Sequence, residues 1–127
     1  PTRARMPYYR FRSGAVMDHI HSTPTHQALD VAPFGARLSA AHSSVLFKAE
    51  DLEVIRVVLR SGQSLPPHRV PGSVSLQCLE GRLEVLIGQT VHELGPKQLM
   101  HLPANMPHAV RAMEDSSAIA TIVLCEA

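Results

Sequence analysis

Aromatic side chains are scarce in this chain. Phe, Tyr and Trp together make up 4% of its 127 residues, and Trp is absent. Single-stranded nucleic acid is usually held by aromatic stacking platforms, so their scarcity argues against that class of partner. Long basic runs are also missing. The densest basic stretch, Arg3, Arg5, Arg10 and Arg12 among Tyr8, Tyr9 and Phe11, sits on no recognisable nucleic-acid motif. It reads as a solvated arm, and the formal net charge is only +1. Cysteine is limited to Cys78 and Cys125, both inside apolar runs, a setting for reduced core thiols rather than a disulfide framework. No stretch of about 18 apolar residues occurs, so no membrane-spanning helix is expected. No apolar segment follows the basic N-terminus to complete a signal peptide. A cytoplasmic location is therefore the default expectation, with neither membrane nor nucleic acid as partner.

Helical periodicity is missing too. What is present is a series of short, β-branched, partly alternating segments separated by Gly and Pro. They fall at residues 44–49, 51–60, 73–80, 82–87, 90–94, 98–102, 107–113 and 117–125. In residues 73–80, Val74, Leu76 and Cys78 share one parity while Ser75 and Gln77 share the other, so one face is apolar. In residues 51–60, Ile55, Val57 and Leu59 share a face, and Glu53 and Arg56 interrupt the alternation. Short strands at such regular spacing favour an all-β sandwich or barrel over a parallel α/β sheet. The expectation is a single antiparallel β-barrel domain over residues 36–127. Residues 1–35, broken by Pro1, Pro7, Pro24 and Pro33, form an N-terminal arm with at most a short helical turn at residues 15–20.

Two segments carry a more specific signal. Gly62 is followed after five residues by His68, and Gly81 lies further on behind Leu79-Glu80. Pro103 precedes Asn105 by two positions, and His108 comes three after that. Together they resemble the two motifs of the cupin superfamily. The first is Gly, five residues, His-x-His, three or four residues, Glu, six residues, Gly. The second is Gly, five residues, Pro-x-Gly, two residues, His, three residues, Asn. The resemblance spans about residues 52–125 and implies a jelly-roll barrel, the double-stranded β-helix of that family. It also implies a divalent metal held inside the barrel by three His and one Glu. Several positions depart from the pattern. Val70 stands at the second His, Val74 at the Glu, Lys97 at the opening Gly of the second motif, Asn105 at its Pro-x-Gly glycine, and Ala112 at its Asn. Asn tolerates the left-handed backbone that the glycine position requires.

The resemblance thus leaves His68 and His108 as candidate ligands for one divalent ion, Fe, Mn, Ni or Zn, if one is bound. His101 is the nearest third candidate, on a strand whose register the sequence leaves open. Catalytic metal sites usually supply three protein ligands and an open position. The same interior, lined by Val70, Val74, Leu76, Cys78 and Met100, also suits an apolar pocket oriented by a few polar groups. Three uses stay open. One is a small-molecule-binding cupin, with or without metal. Another is a metal-dependent enzyme of dioxygenase or isomerase type. The third is a metal-free sensing or interaction protein. A homodimer is the default assembly for each. The His19-Ile20-His21 tract with His26, and His92, have simpler readings as arm or surface residues, while His42 precedes a strand that could lie near the mouth of the barrel.

Overall fold

The computed structural model describes residues 26–68 and 70–124. The basic stretch, the helical turn at residues 15–20, His19, His21 and Cys125 lie outside the described residues. A 3₁₀ helix, Gly35–Ala40, precedes the strands β1 (Ser44–Lys48), β2 (Leu52–Leu59), β3 (Ser64–His68), β4 (Val74–Glu80), β5 (Leu83–Ile87), β6 (Thr90–Leu94), β7 (Leu99–Leu102), β8 (His108–Ala112) and β9 (Ser116–Val123). They form a five-stranded sheet in the order β1-β2-β9-β4-β7 and a four-stranded sheet in the order β3-β8-β5-β6. Every neighbouring pair is antiparallel. The all-β expectation therefore holds. Among the described residues no helix is long and apolar enough to cross a membrane.

Alternation decides what each strand buries. Val74, Leu76 and Cys78 of β4, Ala118, Ala120 and Ile122 of β9, and Leu83 and Val85 of β5 all join one apolar cluster between the sheets. Burying one such Val, Leu or Ile side chain contributes about 1.5–3 kcal/mol. The β4–β5 turn depends on Gly81, whose φ of 87° lies in the left-handed region. A Cβ at that position would collide with Ser116 and with the Asp115 carbonyl. The two motif positions that lost glycine keep the glycine backbone: φ is 70° at Lys97 and 58° at Asn105. The Asn105 N–H donates to the Val70 carbonyl at 2.7 Å, tying the β7–β8 turn to the stretch that follows β3.

Two features depart from the sequence reading. Strand β3 is not among the segments expected from the sequence, and it contains Pro66 and Pro67. It is an edge strand, where missing N–H donors are tolerated, and its pairing with β8 shifts register between Leu65 and His68. Arg56 is not a simple interruption of β2. Val54, Arg56 and Val58 are all buried on the outer face of the five-stranded sheet, so β2 is covered on both sides. The segment before β1 provides the cover. Arg60 donates to the Leu38 and Ala41 carbonyls at 3.1 and 2.9 Å, which fixes the 3₁₀ helix, and residues 26–34 continue across the same face.

Candidate functional site

His108 opens β8 on the inward parity shared with Val110 and Ala112. In register it stands opposite Ile87 of β5 on one side and His68 of β3 on the other. The two sequence-predicted histidines are therefore neighbours across paired strands, and the orientation of the His68 side chain lies outside the described residues. His108 is 2% exposed, and its Nδ1 lies 3.1 Å from the Met106 carbonyl. A carbonyl only accepts, so Nδ1 carries the proton, and in the neutral ring Nε2 is the acceptor or ligating atom. Burial holds the imidazole below its usual value, and the Met106 carbonyl opposes it only in part.

This depression sets a sign. The unfolded chain takes up a proton on His108 near the ordinary value of 6.5, while the folded chain resists it. The contribution is complete above that value and is lost as the pH falls below it toward the folded pKa. Urea unfolding between about pH 7.5 and pH 5.5 should show the wild type losing stability, and His108→Gln losing less of it. Parallel slopes for the two proteins would rule out a buried neutral ring.

The remaining candidates are placed as follows. Val70 and Val74 are each 1% exposed and sit in the apolar cluster. Leu76 and Cys78 lie beside them, and Met100 packs against the cluster from β7. Burial raises the Cys78 thiol pKa, opposed by its contact with the Glu80 carbonyl and by Arg82, so the thiol stays protonated. His101 is not brought to His108. It has the parity of exposed Leu99 on the outer face of β7, where its ring nitrogen is 3.2 Å from Ser73 Oγ. Among the described residues, one interior void of about 10 Å³ is walled by Val57, Leu65, Val74, Leu76, Val110 and Ala120 among others. That is room for about one water.

The donor set does not fit the four-ligand centre that the resemblance implies. Two of the four positions are aliphatic and packed, and His101 faces away. Among the described residues no group of three or more His, Cys, Asp or Glu side chains is placed to hold a metal ion.

A second polar constellation lies on the opposite side of the sheet. The Glu80 carboxylate accepts the N–H groups of Phe34 and Gly35, each at 3.0 Å, and the hydroxyl of Ser117. Arg56 lies 3.7 Å from it. The Arg56 guanidinium also donates to the Ala32 carbonyl at 2.9 Å and to Ser117 Oγ at 3.2 Å, and it stacks on the Phe34 ring at 4.0 Å. Burial alone would raise the Glu80 pKa, but the three hydrogen bonds and Arg56 outweigh it and hold the carboxylate ionised. The sequence reading missed this group. Its available signal was the apolar pair Val54 and Val58 around Arg56, the mark of a strand covered on both faces.

The family model described as the cupin domain matches residues 55–124. No curated protein matches the chain. A conserved protein of unknown function from Streptococcus pyogenes is 26% identical, with 87% of this chain and 98% of that one aligned and a TM-score of 0.67. A cupin superfamily protein from Desulfitobacterium hafniense is 14% identical over 83% of this chain and 97% of that one, again with a TM-score of 0.67. Oxalate decarboxylase of Bacillus subtilis, a protein with Mn(II) centres, is 18% identical over 60% of this chain and 22% of that one, with a TM-score of 0.56. At such low identity, the last two establish likeness of fold alone.

Proposed function

This chain belongs to the cupin family, and from that premise we propose that it is a small-molecule-binding protein that works without the family's metal centre. The observation that carries this reading is the pair Val70 and Val74, each 1% exposed, at the two positions where ligands would complete the set begun by His68 and His108. A site lined by Val70, Val74, Leu76, Cys78 and Met100 is apolar, with His108 as the polar group that orients what enters. Binding sites for small molecules have that composition. The apolar walls and small void shown among the described residues favour small, compact, largely apolar molecules. A homodimer accompanies this activity as the default assembly. The metal-dependent enzyme reading needs donors beyond His68 and His108, and Val70 and Val74 provide none.

Thermal unfolding of the full chain in chelator tests the proposal against a panel of small apolar and amphiphilic metabolites. A ligand present at about a hundred times its Kd adds about 2.7 kcal/mol, a rise in Tm of roughly 10 °C for a domain of this size. At least one compound should give such a rise, and His108→Ala should remove it. A protein that responds to divalent ions and to no organic compound would contradict the reading.

A further inference from the structure

Residues 30–41 are fastened to the barrel by side chains of the barrel alone. Arg56 donates to the Ala32 carbonyl, Arg60 donates to the Leu38 and Ala41 carbonyls, and Glu80 accepts from the Phe34 and Gly35 N–H groups. Each bond ends on main chain of this segment. The segment's own main-chain bonds stay within it. Arg37 N–H donates to the Phe34 carbonyl at 3.2 Å and Ala41 N–H to the Leu38 carbonyl at 3.0 Å, and among the described residues none reaches the main chain of a strand. Apolar attachment is thin. Leu38, 9% exposed, is the one buried side chain of the segment, and Phe34 is half-buried. Neither belongs to the apolar cluster between the sheets, and neither do Val54 and Val58 of the outer face. Leu29 and Val31, where the segment begins, are each 38% exposed. The core is therefore complete without it, and a region with few buried apolar contacts opens at a lower free energy than the core does.

The attachment is also opposed from within. Arg56 and Glu80 form an ion pair largely taken out of water, where desolvation offsets much of the attraction. Burial lowers the Arg56 pKa, and Glu80 and then Asp30 of the segment itself oppose that only in part. Arg56 Nε is buried without a hydrogen-bond partner among the described residues. Lifting the segment brings water to that nitrogen and to both charges. The lift has a natural limit. Ser43 Oγ accepts from the Val58 N–H at 2.8 Å and donates to the Val58 carbonyl at 3.3 Å, which ties the chain to β2 just before β1 begins. His42 lies exposed between this tie and Ala41. We propose that residues 30–41 form a strap that lifts from the sheet as one unit, hinged at His42, while the strands stay folded. The Arg56–Glu80 pair is its catch. Opening uncovers the outer side of β2, with Val54, Arg56 and Val58. This device acts on the outer face, so it stands or falls independently of the interior site.

Native-state hydrogen exchange of the full chain, followed by NMR in rising urea, tests this. The Phe34, Gly35 and Ala41 amides report on the strap. The Cys78 and Ala112 amides, which donate to the Gln98 and Gln63 carbonyls, report on the barrel. The strap amides should share one protection factor, at least about a hundredfold below that of the barrel amides. Their urea dependence should be smaller, because the opening exposes less surface. Glu80→Gln should lower protection at least about tenfold, and at Ala41, which Glu80 does not contact, by the same factor as at Phe34 and Gly35. Ile87→Val, a mild core truncation in the four-stranded sheet, should lower barrel protection by about fivefold and leave that of the strap unchanged. A strap that loses protection in step with the barrel in Ile87→Val opens only with the whole molecule, which would overturn the proposal. So would a response to Glu80→Gln at Phe34 and Gly35 without one at Ala41. Strap amides with no measurable protection would overturn it as well, since the strap would then have no closed state.

Discussion

Replacing Glu80 with alanine is expected to destabilise the protein by about 3 kcal/mol, the scale for removing one partner of a buried ion pair. Three donors lose their acceptor at once, the N–H groups of Phe34 and Gly35 and the hydroxyl of Ser117. Arg56, with its side chain 5% exposed, loses its ion-pair partner between the sheet and Phe34 and keeps only the weaker attraction of Asp30. The cost is greater than that of a surface ion pair, whose typical worth is about 0–1 kcal/mol. It should appear as a fall in Tm on the order of 10 °C. Arg56→Leu/Glu80→Leu, which removes both charges, should be less destabilised than Glu80→Ala alone, because no buried charge is stranded. A Glu80→Ala protein within half a kilocalorie of wild type would show that the segment before β1 is held by something other than this group.

Val74→Glu is expected to cost at least about 3 kcal/mol in the absence of metal, because it places a carboxylate without partners in an apolar interior. Val74 pairs with Leu102 and Ile122 in the sheet and lines the interior void, whose walls among the described residues are all apolar, so no donor there awaits the new group. The double variant Val70→His/Val74→Glu should recover part of this loss when Mn or Zn is added. A folded state that binds an ion is stabilised by it, and the variant supplies the two donors that the wild type lacks. Thermal unfolding with and without each ion reads both effects. A Val74→Glu protein that is unaffected without metal would mean that the interior near His108 is open and wet, contrary to the packing described.

How far the sequence alone leads can be judged from individual residues. The parity of Val74, Leu76 and Cys78 gave the inward face of β4, since a period of two leaves only one consistent assignment once a core exists. Asn105 was legible as a left-handed position because Asn accepts that backbone. Lys97 was not, since nothing in a lysine announces a positive φ. Strand β3, with Pro66 and Pro67 in it, lacks a strand-like pattern and is accommodated because it lies at an edge. His101 carried no register of its own. Pairing of β7 with β4 decides that it faces outward with Ser75. The group built on Arg56, Glu80 and Ser117 joins residues 24 and 61 positions apart, and a local pattern carries no information about such a meeting.

The central claim is that a cupin with Val70 and Val74 beside His68 and His108 does not rely on a bound ion. Elemental analysis of the full chain, purified without added metal and then incubated in turn with Fe, Mn, Ni and Zn, tests it most directly. The account predicts well below one ion per chain in every case, with no change in Tm. One equivalent of any of these ions, retained through dialysis and lost in His108→Ala, would contradict it.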